Sequence, residues 1–280
     1  MRIEQEIRLV LPSPPGPRRW RAPALRGARP REAFRAVTHA ALEQIEANAR
    51  GVTVSSDPEF LHQLRVGMRR LRAALRAFRA ALPAKATKAL RRSLRRISST
   101  LGRARDWDVL LARLEAGAGS QEILARARAR RREARQAARR TIRSRTFAQA
   151  LEEARAIVPA ESTKPLAQFG AAALARAQRK LMKQARGMDW RDAGERHALR
   201  IRAKRLRYGC EFFAPAFPAR RAALYLAELK ELQEILGELN DIAVGRRLIG
   251  FEADESALLR RLGAAWGRFA RRPVFWRAAG

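Results

Sequence analysis

The stretch that decides the fold is His62-Gln63-Leu64-Arg65-Val66, which is followed by Arg69-Arg70-Leu71-Arg72. It returns 135 residues later as His197-Ala198-Leu199-Arg200-Ile201 and Lys204-Arg205-Leu206-Arg207. The same ungapped offset relates further pairs along the chain, namely Phe78 and Phe213, Pro83 and Pro218, Leu101-Gly102 and Leu236-Gly237, Asp106 and Asp241, and Val109 and Val244. A constant offset of this extent predicts a duplicated unit, with halves at 31–158 and 165–272 that pack about a pseudo-two-fold axis.

Each copy has the residue spacing of an amphipathic helix. Apolar side chains recur every three or four positions, and they are Leu64, Met68, Leu71, Leu75 and Phe78 in the first copy and Leu199, Ala203, Leu206, Cys210 and Phe213 in the second. From residue 31 onward, glycine and proline divide the chain into Ala-, Leu- and Arg-rich stretches of helical length, and no alternating strand pattern appears. The sequence therefore predicts an all-α fold of two antiparallel helical bundles.

A stripe of basic residues runs beside each apolar seam. Its members in the first copy are His62, Arg65, Arg69, Arg72, Arg76 and Arg79, and in the second His197, Arg200, Lys204 and Arg207. Like charges at this spacing repel one another, and no acid lies within 61–79. The stripe is therefore expected to line a cavity or channel that an anion fills, with further arginines from the next stretch, Arg91, Arg95 and Arg96. The alternative is that acids on other helices pair with these arginines, and Glu211 already replaces Arg76 in the second copy.

The overall composition also indicates an anionic partner. The chain of 280 residues has 60 Lys and Arg against 27 acids, a formal net charge of +33. A compact protein with this charge repels itself unless an anion such as nucleic acid, a membrane surface or a phosphate polymer neutralises it. The single cysteine, Cys210, excludes an internal disulfide, and there is no secretory signal or uncharged stretch of membrane-spanning length. We therefore expect a cytoplasmic protein without a membrane span.

The sequence has no pattern typical of catalysis or of metal binding. It lacks a Ser/His/Asp order, a glycine-rich phosphate loop and paired carboxylates on its helical part. The arginines around His62 and His197 would repel a metal cation. Asp106 and Asp241 are expected to cap a helix or to pair with arginine. We therefore predict a protein that is not an enzyme and has no cofactor and no bound metal.

Nucleic acid is the main alternative ligand of the basic stripe. A basic surface of this kind also binds the backbone of DNA or RNA. Aromatic residues are only 6% of the chain, however, and only Phe78 and Trp107 are near enough to stack on bases. A third alternative is a scaffold for acidic proteins, which would require an exposed stripe and no enclosed channel. The sequence does not predict an oligomeric state.

The paired His-x-Leu-Arg-[Val/Ile]-x-x-[Arg/Lys]-Arg-Leu-Arg motifs, each followed by Leu-Gly and an Asp, resemble the CHAD domain (conserved histidine α-helical domain). The resemblance covers residues 31–272. It implies a pseudo-symmetric pair of helical bundles around a basic central cavity, and an association with inorganic polyphosphate and polyphosphate granules. It also assigns binding roles to the two sets of motif residues, His62, Arg65, Arg69 and Arg72, and His197, Arg200, Lys204 and Arg207.

The first 30 residues differ in composition from the rest. Prolines from Pro12 to Pro30 predict an irregular arm, because proline interrupts both helix and central strand. Within it, Ile3–Leu9 resembles the Glu-x-Glu-x-Lys start of CYTH triphosphate-processing domains, with Arg8 in place of the lysine. The segment is too short for the barrel of such a domain, so we interpret it as a remnant. Residues 273–280 are expected to form a tail.

Overall fold

The computed structural model describes residues 16–117, 120–250 and 253–277, and every regular element in these ranges is helical. The all-α prediction is confirmed. The helices are α1 (Pro30–Val54), α2 (Pro58–Ala77), α3 (Ala84–Ala116), α4 (Gln121–Ile142), α5 (Arg145–Ala156), α6 (Leu166–Ala185), α7 (Ala193–Phe213), α8 (Ala219–Ile249) and α9 (Ser256–Arg271). Single 3-10 turns at Arg79–Ala81 and Ala214–Ala216 follow α2 and α7.

The order of the elements repeats at the offset of the sequence motif. The first residues of four pairs of elements are 135 positions apart, namely α2 and α7, the two 3-10 turns, α3 and α8, and α4 and α9. Helices α1 and α6, which precede them, begin at Pro30 and Leu166. The two motif helices α2 and α7 therefore occupy equivalent positions in their halves, and they pack against each other.

The same kind of cap begins both motif helices. The carboxylate of Asp57 accepts a hydrogen bond from the backbone N–H of Glu59 (2.7 Å), and Pro58 occupies the first position of α2. In the second half Asp192 accepts from the N–H of Glu195 (2.6 Å). A side-chain acceptor at this position satisfies one of the N–H groups that a helix start leaves free.

Four phenylalanines join the two halves. Phe34 and Phe78 come from the first half, and Phe169 and Phe213 are at the equivalent positions of the second. The rings of Phe78 and Phe213 lie 5.0 Å apart between centroids, and each also contacts Phe169, at 5.8 and 6.1 Å. Phe34 meets Phe78 at 5.6 Å, so residues related by the repeat touch at the centre of one continuous core. Such aromatic pairs each add about 0.5–1.5 kcal/mol beyond the burial of their area.

The described part of the arm packs onto the helical body. The backbone N–H and C=O of Arg18 both bond to the side-chain amide of Asn48, at 3.1 and 2.8 Å. The ring of Trp20 covers the guanidinium of Arg70 at 4.6 Å, and Leu25 is buried. Residues 16–29 form no helix or strand, and Leu25 among them belongs to the core. The CYTH-like segment Ile3–Leu9 lies outside the described residues.

Two residues of the expected tail belong to the core. Phe275 and Trp276 are buried, and both rings contact Tyr225 of α8, at 5.7 and 5.0 Å between centroids. The packed structure therefore extends beyond residue 272. The sequence signal was Pro273, but this proline ends the helix without ending the packed structure.

The arginine run of α4 is only partly a solvated face. Arg131 and Arg135 bind the buried carboxylate of Asp108 at 2.6 and 3.1 Å, and Arg139 donates to the carbonyl of Val52 at 3.0 Å. Arg139 thus satisfies a free carbonyl at the end of α1, where its positive charge also complements the helix dipole. The remaining arginines of α4 face outward.

Candidate functional site

A cavity of about 860 Å³ lies between α2, α3, α7 and α8, and we refer to it as the central cavity. The side chains of both motif helices line it, together with those of the following long helices. Its cations are Arg65, Arg69, Arg72, Arg105, Arg200, Lys204 and Arg247, and its carboxylates are Asp106 and Asp241. Seven cations against two acids give this cavity a strong excess of positive charge.

Seven of the twelve predicted binding residues line the central cavity. They are His62, Arg65, Arg69, Arg72, His197, Arg200 and Lys204. Three or four positions separate successive members on each helix, so each set projects from one face. Because α2 and α7 are neighbours, the two stripes meet in the same cavity.

Three arginines of the central cavity have buried nitrogens without a hydrogen-bond partner among the described residues. These nitrogens are Nη1 of Arg65 and Nε of both Arg69 and Arg200. Burial, together with the positive charge of Arg69, lowers the pKa of Arg65 to about 10. A buried charged group without a partner is unfavourable, so an anion that entered the cavity would supply the missing interactions.

Lys204 is the most strongly perturbed group of the cavity. Burial and the charges of neighbouring arginines lower its pKa to about 6, and the neighbours are Arg200, Arg69, Arg207 and Arg65. At pH 7.5 its amine is therefore largely neutral. Buried lysines respond in this way because the charged form loses its hydration.

Both carboxylates of the central cavity are next to arginines. Arg113 donates a hydrogen bond to Asp241 at 3.0 Å, which agrees with the expected pairing of this aspartate with an arginine. Burial raises the pKa of Asp106, and the charge of Arg65 acts in the opposite direction. Neither carboxylate begins a helix, so the alternative role as a helix cap is wrong.

The two motif histidines have different surroundings. His197 Nδ1 lies 2.8 Å from Oδ1 of Asn240, and since this oxygen only accepts, Nδ1 carries the hydrogen. Burial lowers the pKa of His62, and Arg105 lowers it further. His62 is therefore neutral in the empty cavity at neutral pH, and an anion beside it would favour its cationic form.

Arg207 does not line the central cavity. Its Nε lies 3.3 Å from Glu211, whose other carboxylate oxygen is 3.1 Å from the buried Arg70. The guanidinium of Arg70 also lies between the rings of Trp20 and Tyr208, at 4.6 and 5.2 Å. The acid that replaces Arg76 in the second stripe thus neutralises an internal arginine. It also holds Arg207 away from the cavity. For this one arginine, the alternative of pairing with an acid therefore applies.

The far end of the first stripe lines a smaller cavity of about 130 Å³, which we call the second cavity. Arg76 and Arg91 are among its walls, and no acid is. Arg79, another member of the stripe, also lines it, whereas the sequence analysis missed its other cations, which are Arg176, Lys180 and Arg205. Arg176 and Lys180 belong to α6, outside the repeated motif, so only their spacing of four could have identified them. The sequence analysis expected the whole stripe to line one cavity together with Arg91, but Arg76 and Arg91 line a separate one.

The last two predicted residues lie on the outside of α3. Arg95 and Arg96 are exposed. They are next to each other on the helix surface that faces away from Leu90, Leu94 and Ile97, which are buried. Conversely, the sequence analysis left out Arg105 and Arg247 of the central cavity. Arg105 lies between the repeated Leu101-Gly102 and Asp106, and this position could have identified it as a lining residue. Nothing in the spacing of the sequence singles out Arg247.

Comparison with known proteins identifies the family. A model of the CHAD domain matches residues 36–250, and the chain therefore belongs to the CHAD domain family. Its fold resembles the crystal structure of the CHAD domain from the plant Ricinus communis, with a TM-score of 0.72, 32% identity and 93% of each chain covered. It also resembles PptA from Streptomyces chartreusis, with a TM-score of 0.58, 16% identity, and 86% of this chain and 98% of that chain covered. At that identity the second likeness supports the fold alone. No curated protein matches the chain.

The described residues contain neither a membrane-spanning helix nor a cluster typical of a metal site. None of the described helices combines the length and apolar character that a bilayer crossing needs. Within the same ranges, no group of three or more His, Cys, Asp or Glu side chains has the arrangement of a metal site.

Proposed function

We propose that this protein binds inorganic polyphosphate in the central cavity. The observation that carries the proposal is that buried arginine nitrogens without a hydrogen-bond partner among the described residues, contributed by both repeats, converge on one cavity. Polyphosphate has about one negative charge per unit and no apolar part, like a nucleic-acid backbone without its bases. Arginine matches it well, because its planar fork donates two parallel hydrogen bonds to phosphate oxygens. The polyphosphate association of the CHAD domain supports the same choice of polymer.

The lining of the central cavity favours a bare phosphate chain over nucleic acid. Apart from histidine, its lining contains no aromatic side chain on which bases could stack. Of the two aromatic residues that the sequence offered for stacking, Phe78 is buried and Trp107 packs against Leu111 and Leu124. A volume of about 860 Å³ is also too small for a duplex, whose major groove alone is about 12 Å wide. A scaffold for acidic proteins is disfavoured, because the stripes line a cavity.

The proposed role is binding without catalysis. Of the two carboxylates of the cavity, Asp241 accepts a hydrogen bond from Arg113, and Asp106 lies beside the positive charge of Arg65. We accordingly propose that the protein holds polyphosphate uncleaved in the cytoplasm, at polyphosphate granules. Incubation of the protein with the polymer should release no inorganic phosphate above the rate of the polymer alone, and any turnover contradicts this part of the proposal.

The main experiment is a binding assay at physiological salt with labelled long-chain polyphosphate, and with single- and double-stranded DNA as competitors. If each of the seven cations neutralises one phosphate, log K should fall with log salt with a slope of about −5. We expect polyphosphate to displace both DNA forms. The charge reversal Arg65→Glu/Arg69→Glu should abolish the binding of polyphosphate.

The matched control reverses two outward-facing arginines of α4, Arg132→Glu/Arg140→Glu. Both residues are exposed, and the change in net charge is the same. If the cavity binds the polymer, this control should retain most of the affinity and lose only long-range attraction. If both variants weaken binding equally and DNA competes well, the protein is a nonspecific polyanion binder that acts through its outer arginines.

A further inference from the structure

Gly102 lies on α3, on the same face as Ser98 and Asp106 of the central cavity. It is in the middle of a helix of 33 residues, and glycine there destabilises a helix by about 1 kcal/mol relative to alanine. Its backbone does not require glycine, since positive φ is confined to Gly27, Gly187 and Gly250 among the described residues. A reason for glycine at this position must therefore come from what lies against it.

The guanidinium of Arg65 occupies the space that a side chain at position 102 would fill. A Cβ on Gly102 would lie 2.7 Å from Nη1 of Arg65, 3.8 Å from its Cζ and 4.0 Å from its Nη2. Real Cβ atoms do not approach other heavy atoms as closely as 2.7 Å, so the guanidinium would have to move. In its present position its Nη1 is buried and has no partner among the described residues.

The duplicated glycine does not have this neighbour. Gly237 occupies the equivalent position on α8, and a Cβ there would meet nothing within 4 Å. Arg200, the counterpart of Arg65, is therefore not held against α8 in the same way. The two halves differ at this point, although the Leu-Gly element is identical in both.

We propose that Gly102 is a positioning residue: its missing side chain lets the guanidinium of Arg65 rest against α3 and present its donors to the anion in the central cavity. The inference rests on the proposed function for its ligand. Arg69, Arg105 and Arg200 repel Arg65. A guanidinium pushed off α3 would therefore turn away from this cluster. The first-half Leu-Gly element thus acts on the ligand through the arginine one helix away.

A stability role and a positioning role predict different results for Gly102→Ala. The colliding atom is at the end of a flexible side chain, so the fold should tolerate the substitution, and alanine is the better helix former. The melting temperature should therefore not fall. The affinity for polyphosphate should fall about tenfold, which corresponds to one charge-assisted hydrogen bond, and the salt slope should become shallower by about 0.7.

Gly237→Ala is the matched control, since it makes the same helix substitution in the second half. It should leave the affinity for polyphosphate and the salt slope unchanged. A second comparison uses the Arg65→Ala background, where Gly102→Ala should have no further effect on affinity because its target is gone. If Gly102→Ala binds as Gly237→Ala does, or weakens binding equally with and without Arg65, the proposal is wrong.

Crystal structures of the parent protein and of Gly102→Ala separate this inference from the proposed function. If the parent does not bind polyphosphate, the proposed function fails, and the position of Arg65 in the two structures still decides the inference. A guanidinium displaced from α3 only in Gly102→Ala supports it. A guanidinium in the same place in both structures overturns it.

Discussion

We predict that Lys204 makes the proposed binding of polyphosphate depend on pH. In the empty cavity burial and the surrounding arginines hold its pKa at about 6, against an ordinary value of 10.5. A bound phosphate chain would supply the opposite charge that the site lacks, and so raise this pKa again. Binding at neutral or higher pH should therefore take up a proton from solution.

The size of the effect follows from the free-protein pKa. At pH 7.5 a group with a pKa of about 6 is protonated in only about 3% of molecules, so each binding event should take up about one proton. Because binding adds a proton, affinity falls as pH rises, about tenfold per pH unit between pH 7 and 8.5. The window starts above pH 6.5 so that His62, whose pKa is also lowered, stays neutral in the free protein.

Isothermal titration calorimetry in buffers of different ionisation enthalpy measures the proton directly. The matched variant is Lys204→Arg, which keeps the positive charge but does not titrate in this range. We expect the variant to take up about one proton fewer than the parent, and its affinity to fall less steeply as pH rises across the window, by about tenfold less per pH unit. A parent protein with no proton uptake and a flat pH profile would refute the reasoning about Lys204.

Three further changes test the packing around the site. Asp108→Ala leaves Arg135 buried without its carboxylate and should destabilise the fold by about 3 kcal/mol, measured by denaturant unfolding; an unchanged midpoint would show that the pair is dispensable. Lys204→Met should raise the melting temperature of the ligand-free protein at pH 6 by a few degrees, because it removes a buried group that must be charged in the unfolded chain. This increase in melting temperature should become smaller as pH rises toward 10. An increase that does not depend on pH would mean that packing causes it, and not the charge of Lys204. Trp20→Ala should destabilise the fold by about 3 kcal/mol through lost aromatic burial and the lost contact with Arg70, whereas Trp20→Phe should lose less than half of that.

The repeat made much of the fold predictable. Residues that recur at a fixed offset are expected to occupy equivalent helices. The sequence alone therefore placed His62 and His197, and Arg65 and Arg200, on one pair of facing helices. The spacing on α2 and α7 then indicated which side chains share a face. These seven residues do line one cavity.

The errors arose where contacts between distant elements decide the outcome. Arg207 has the same spacing as its neighbours, but Glu211 one turn later holds it by an ion pair. Arg176 and Lys180 reach the second cavity from α6, and periodicity within α2 or α3 contains no information about a third helix. Phe275 follows a proline and resembles the start of a tail, yet it packs against an aromatic residue 50 positions earlier in the chain.

The most direct test of the central claim is a crystal structure of the protein with long-chain polyphosphate. The account predicts a chain of phosphates inside the central cavity, with oxygens within hydrogen-bond distance of Arg65, Arg69 and Arg200, whose buried nitrogens now lack partners. It also predicts that Lys204 contacts the polymer. A polymer bound along the exposed arginines of α4, with the central cavity unchanged, would contradict the account.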